Sequence, residues 1–310
     1  MEGTAEQKEV ALRVPRNYVI YDANGTRLTS MRDVARRCAD ADVVLMGEVH
    51  TNQATHDAER HLLQALHEEA SSRQRRVALS LEMFESDVQP IIDSYLAGVA
   101  SEEDLRREAR PWPNYFEDYH SLVEHCREKG MHVVAANAPR RTVSYIGKHG
   151  VDAFAAKVKE HGPSIAPTPW PYEPLSDELR NRIIAELGAA YGPSASEGDD
   201  GGGACPHVGW TKADARHALF DAQALWDASM AHHVARAASD RRTAVLHVCG
   251  KFHCERRLGI PERLPSSLRT ALVVCVPWSE GGLMSAATFR RLHLHELGDF
   301  VVLTQAPDSR

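Results

Sequence analysis

Short apolar runs alternate with longer amphipathic stretches along this chain. The runs VVLMG (43–47), VALSLE (77–82), HVVAAN (132–137), TAVLHVCG (243–250) and ALVVCV (271–276) are rich in Val, Leu and Ala and are bounded by charged or turn residues. Near-continuous apolar runs of this length fit strands of a parallel sheet buried on both faces. Between them, residues 53–70 place Ala58, His61, Leu62, Ala65 and Leu66 at helical spacing, and 115–129 and 211–238 behave similarly. The alternation predicts an α/β fold, a mostly parallel central sheet flanked by helices.

The ends and the middle read differently. Residues 14–30 carry Asn24-Gly25 between two alternating segments, which predicts a hairpin with a two-residue turn. The tail DFVVLT (299–304) predicts one more strand. From 151 to 240 the chain reads as helical, broken by PTPWPYEP (167–174) and GPSASEGDDGGGACP (192–206). The second break, glycine-rich and acidic, is expected to be a mobile loop. The layout is an N-terminal hairpin and lead-in helix (1–39), an α/β core (40–150 and 241–310) and an inserted helical subdomain (151–240).

Composition narrows the partners. A net charge of −7 argues against nucleic acid. No apolar run approaches the roughly 20 residues of a membrane span. The first residues hold too many charges for a secretory signal, and no lipid-attachment cysteine stands near the start, so a cytoplasmic or organellar location is expected. The six cysteines form no CxxC pair and are expected as reduced thiols, with Cys249 and Cys275 in the core. The 17 histidines invite a metal or haem reading, although scattered ones such as His67, His125 and His149 fit solvated helix faces.

Ligands of open α/β sheets bind beyond the carboxyl ends of the strands. Two of those ends repeat a pattern: Gly47-Glu48-Val49-His50 and Gly250-Lys251-Phe252-His253 are both Gly-x-x-His after an apolar strand, and a third strand ends in Glu82. Glycine lets the backbone turn and leaves space over the strand end. Glu48, His50, Glu82 and His253 together would suit acid–base work, and His50, Glu82 and His253 a divalent metal. One such motif alone is an ordinary polar turn; two copies with a strand-terminal Glu point to a shared site. The stretch RPWPNYFEDYH (110–120) would wall a pocket, with Arg110 as an anion clamp beside Tyr115, or would anchor a helix N-terminus. In the helix around 217–231, Phe220, Gln223, Ala224, Asp227 and Met230 share one face. Gln223 and Asp227 there need buried partners, either tying the helix to the sheet, the simpler reading, or reaching the site. Cys205-Pro206, followed by His207, lies at the end of the glycine-rich break and reads as an ordinary loop cysteine, despite a likeness to haem-responsive Cys-Pro dipeptides.

Five ordered blocks resemble the ChaN-like family: GEVHTNQATH, SLEMFESDVQPIIDSYLAG, RPWPNYFEDYHSLVEHCREKGMHVVAANAPRR, AQALWDASMA and VCGKFHCERRLGIPERL. They span most of residues 40–300. This family sits in the haem-binding uptake/Tiki grouping, which looks related to erythromycin esterases and Tiki-type metalloproteases. The family's namesake is an iron-regulated lipoprotein that binds a pair of haems between two subunits. The resemblance implies an α/β core with a helical subdomain, a haem ligand and a homodimer. In the wider group, paired Gly-x-x-His motifs and a carboxylate serve a divalent metal such as Mn, Co or Zn; the matching positions here are Glu48, His50, Glu82 and His253. The absence of a lipoprotein signal departs from the pattern and puts an uptake role in question. Haem iron accepts His, Tyr, Cys or Met, so Tyr115 and His207 stand as candidate ligands, and Arg110, as an anion clamp, is the third haem-binding candidate. The expected function is haem binding in haem or iron handling. The alternatives are a metal-dependent hydrolase and a polar network that merely ties strand ends together.

Overall fold

A computed structural model describes residues 18–166, 169–190, 215–278 and 284–305. Each apolar run is a strand. The strands are β1 (Tyr18–Asp22), β2 (Arg27–Leu28), β3 (Val43–Glu48), β4 (Arg76–Glu85), β5 (His132–Asn137), β6 (Thr243–Gly250), β7 (Thr270–Trp278) and β8 (Phe300–Gln305). They form one sheet in the order β2-β1-β8-β7-β3-β6-β4-β5. From β8 to β5 all neighbours are parallel; at the other edge β1 alone is reversed, pairing antiparallel with both β8 and β2. This is the mostly parallel α/β sheet that the apolar runs predict.

Every residue of β3 is buried, because helices cover both sides of the sheet. On one side Val44, Met46, Leu79, Leu81, Leu246 and Val248 pack with Val34, Ala58, Leu62 and Leu66 from the helices Met31–Arg37 and Gln53–Ser72. On the other, Val43, Leu45, Val245 and Cys249 pack with Met230, Ala231 and Val234 of the helix Ala215–Ala237. That helix ends the helical stretch between β5 and β6, and it is itself the cover of the sheet's second face.

Two local expectations change. The connection from β1 to β2 spans residues 23–26 rather than two residues. Gly25 adopts φ +78 within it, and the longer turn closes because Asp22 Oδ1 accepts the amides of Asn24 (3.0 Å) and Thr26 (2.9 Å). The stretch 115–129 is two helices, Tyr115–Asp118 and His120–Lys129, which meet at the fully buried Tyr119. Cys249 and Cys275 are buried free thiols, as expected of core cysteines. The glycine-rich break at 192–206 lies outside the described residues. Among those described, no helix is long and apolar enough to cross a membrane.

The chain order creates the place for a site. It runs from β3 outward to β4 and β5, returns to insert β6 between β3 and β4, then continues on the opposite flank of β3 with β7 and β8. The loops after β3, β6 and β4 therefore diverge at one edge, where ligands bind in such sheets.

Candidate functional site

Register brings three strand ends level. Glu48 pairs with Gly250, and Val248 pairs with Leu81, the residue before Glu82. Side chains alternate across a sheet. Glu48 thus follows Met46 toward the helix Gln53–Ser72, while Glu82 alternates with Leu81 toward the helix Ala215–Ala237. Two buried constellations result, one on each side of the same edge.

The first is built on Glu48. Its Oε1 accepts a hydrogen bond from the Tyr119 hydroxyl at 2.8 Å and lies 2.7 Å from His50 Nδ1. A carboxylate only accepts, so Nδ1 carries the hydrogen and Nε2 is left for a ligand. The His50 side chain keeps 34% of its exposure, and Trp112 meets its ring edge-on at 4.9 Å. His56 and Glu59 lie behind, both buried, with His56 Nδ1 3.4 Å from Glu48 Oε2 and 3.2 Å from Glu59 Oε2.

The second is built on His253. Its Nδ1 lies 2.5 Å from Asp227 Oδ1, and its Nε2 lies 3.5 Å from Glu82 Oε1. Gln223 donates to the same Asp227 oxygen at 3.1 Å. Glu82 Oε2 accepts the Gly250 amide at 2.7 Å. Both histidines therefore have Nδ1 fixed by a buried carboxylate and offer Nε2 toward the strand ends, the arrangement that orients imidazoles for ligation.

The glycines of the two motifs provide room. Neither Gly47 nor Gly250 has a positive φ, so a sharp turn is not their purpose. A Cβ on Gly250 would lie 2.9 Å from His50 Nε2 and 3.7 Å from Glu82 Oε2. A Cβ on Gly47 would lie 2.8 Å from both Lys251 Cα and Cys254 Sγ.

Electrostatics follow from burial against pairing. Burial alone would raise the Glu82 carboxyl, but the charges of His253 and His50 and the Gly250 amide hold it at about 2. Burial disfavours charged His253, yet Glu82 and Asp227 overcome that and push it well up. His50 behaves alike: burial works against its charge, while the Glu48 hydrogen bond and the Glu82 and Glu48 charges raise it. Burial likewise opposes ionisation of Glu48, and His50 and His56 bring it below its usual range. Glu59, buried beside that charge, is raised well above its usual range. Protonated imidazoles beside ionised carboxylates can store and pass protons, and the same atoms are ligands for a hard or borderline cation.

The structure brings Glu48, His50, Glu82 and His253 together at one edge. Arg110 stands apart, half-exposed, paired with Glu85 (3.1 Å) and Asp87 (2.6 Å). Tyr115 is enclosed in the core against Phe84, Phe116 and His120, and burial pushes its hydroxyl far up. His207 lies outside the described residues. Asp227 and Gln223 do reach the site, against the simpler reading that they only tie helix to sheet. His56, Glu59 and Tyr119 escape the sequence reading. The available signal was a His and a Glu one helical turn apart in the apolar face of residues 53–70.

A family model described as haem-binding uptake, Tiki superfamily, ChaN matches residues 34–264. In fold, the chain is similar to ChaN of Campylobacter jejuni, a structure titled for cofacial heme binding. The TM-score is 0.66 at 17% identity, covering 94% of this chain and 98% of that one. An erythromycin esterase in its open conformation gives a TM-score of 0.42 at 14% identity, over 90% of this chain and 79% of that one. The chain is also 24% identical over 140 residues to Protein RETICULATA-RELATED 5, chloroplastic, of Arabidopsis thaliana. That match covers 43% of this chain and spans only 19% of the relative's length.

Proposed function

The chain belongs to the haem-binding uptake family of the Tiki superfamily, ChaN, and on that premise we propose that it binds haem and serves haem or iron handling. The family match carries the reading, since residues 34–264 include the whole strand-end cluster. The residues present fit the group. His50 is a partly exposed imidazole with Nδ1 held by Glu48 and Nε2 free, the form in which histidine ligates iron. Among the described residues, Arg110, Arg140 and Arg141 pair with two carboxylates, Glu85 and Asp87, and a third cation on two anions suits the carboxylates of a porphyrin. Tyr115 and His207 complete the haem-binding candidates, the first needing the 110–120 segment to open. Bound haem would contribute an iron centre whose ligation and redox state the protein tunes through hydrogen bonds and burial. The residues' own part is to orient His50, exclude water with Trp112 and bind acid groups at Arg110.

Hemin titration of the purified protein tests this, followed in the Soret band and by size-exclusion chromatography. The expected result is a saturable shift with a haem-dependent move to a dimer. A shift no larger than that of an unrelated protein equally rich in histidine would overturn the proposal.

A second reading is supported by the two carboxylate-fixed imidazoles: a metal-dependent hydrolase in which His50, Glu82 and His253 hold a divalent cation and Glu48 moves the proton of water. Metal analysis and ester hydrolysis of His50→Ala and His253→Ala test it. Full metal content and full hydrolysis in both variants would remove it.

A further inference from the structure

Behind the strand-end cluster lies a second set of polar atoms, fully enclosed, of which the readings above use only Glu48. Glu48 Oε1 is saturated by His50 and Tyr119, but its Oε2 has no hydrogen-bond partner, and neither has Glu59 Oε1. His56 Nε2 lies 3.1 Å from the backbone carbonyl of His50, which can only accept. Nε2 therefore donates to that carbonyl, and the other ring nitrogen, Nδ1, faces Glu59 Oε2 at 3.2 Å and Glu48 Oε2 at 3.4 Å. Ligand atoms of Glu48, His56 and Glu59 all lie within 4.8 Å of one another, and the three residues are buried. Two carboxylates buried this close to each other need positive charge between them, from a proton or from a cation.

We propose that Glu48, His56 and Glu59 hold a divalent cation of the zinc or manganese class, at a site separate from the His50, Glu82 and His253 set. The donor set, one imidazole nitrogen and two carboxylates, is that of hard-to-borderline cations. The surroundings are those of a ligated site. His56 donates its other ring nitrogen to a backbone carbonyl, and Tyr119 and His50 steady the far oxygen of Glu48. Asn114 donates to Asp118 at 2.7 Å, and that carboxylate lies 3.5 Å from His56 Nε2. The helix carrying His56 and Glu59 is fixed at its start by Asn52, which caps Thr55 and donates to the Gln305 carbonyl at 2.9 Å. A cation there would set the position of Glu48, and through it the orientation of His50. The competing arrangement is a single proton shared between Glu59 and Glu48 with no metal.

The test uses full-length protein, stripped with chelator and then titrated with Zn²⁺ or Mn²⁺, with metal content by mass spectrometry and Tm read together. Wild type should retain one tight equivalent and gain Tm with added metal. That equivalent should persist in His253→Ala and be lost in Glu59→Gln and His56→Ala. Tyr119→Phe, which removes only a support of Glu48, should weaken it by about 10- to 100-fold. An equivalent that survives Glu59→Gln with unchanged affinity overturns the proposal. So does the absence of tight metal in wild type; a Glu59→Gln variant then as stable as wild type or more so identifies the shared proton in its place.

Discussion

Replacing Gly250 with alanine isolates the contact on which the strand-end site depends. Gly250 has φ −52° and ψ 134°, a conformation any residue adopts, so the backbone bears no strain. The new methyl carbon would lie 2.9 Å from His50 Nε2, about 0.5 Å inside ordinary van der Waals contact, which begins at 3.4 Å. Gly250 is hydrogen-bonded in β6, so the partly exposed imidazole is what moves. Moving it stretches the 2.7 Å bond to Glu48. A hydrogen bond to a charged group contributes about 1.5–3 kcal/mol, and water regained by the ring offsets part of it, so we expect about 1 kcal/mol of lost stability. The loss at the site should be larger. With Nε2 displaced, hemin affinity should fall by on the order of tenfold, or about 1.4 kcal/mol. The His50 titration, followed by NMR, should also drop toward that of an ordinary histidine, because the Glu48 bond and the Glu82 charge are what raise it. Unchanged hemin affinity together with an unchanged His50 titration would refute the placement of His50 as the presented imidazole.

Asp227→Asn removes a charge from the 2.5 Å contact that holds His253. We expect a loss of about 1–3 kcal/mol in urea unfolding, larger at pH 6 than at pH 9, because a raised folded pKa gives stability that is complete below the unfolded value and lost as pH climbs through the folded one. His247 behaves in the opposite sense. It is enclosed beside Ser80, and burial lowers it to about 4. The unfolded chain therefore takes up its proton first, and stability should fall by about 3 kcal/mol between pH 6.5 and 4; His247→Leu should flatten that part of the pH profile, and an equally steep fall in the variant would exclude His247 as its source.

How much could be read without the structure depended on the range of the interaction. The parallel core was legible because β3, β6 and β7 are buried on both faces along most of their length, so their sequences are near-continuous apolar runs, interrupted in β6 by His247. The pairing of Gly47 with Cys249 and of Glu48 with Gly250 was legible only as a repeated motif, since nothing in a single sequence gives register. Tyr119 was hidden because it sits 71 residues from Glu48 and is held at a break between two short helices. His56 and Glu59 looked like members of a long helix; their meaning depends on which carboxylate the neighbouring strand delivers to that face. Asp227 and Gln223 did announce themselves as polar residues in an apolar face, and the error lay in choosing the nearest structural purpose for them.

The two Gly-x-x-His segments form one device. Gly47, on β3, makes room for the loop after β6, since its Cβ would meet Lys251 Cα and Cys254 Sγ at 2.8 Å. Gly250, on β6, makes room for the loop after β3, since its Cβ would meet His50. Each glycine thus clears space for the other strand's histidine segment, and each histidine then crosses toward the shared edge. The two substitutions are not equivalent. Gly250→Ala meets the end of a side chain that can swing, whereas Gly47→Ala meets backbone in the half-buried 3₁₀ turn Lys251–His253. Overpacking of that kind costs about 1–3 kcal/mol, and it falls on the segment that carries His253 rather than on His50. Gly47→Ala should therefore unfold at lower urea than Gly250→Ala and should disturb the His253 titration while leaving the His50–Glu48 bond in place. Equal destabilisation of the two variants, with both disturbing His50 alone, would show that the clearance is not reciprocal.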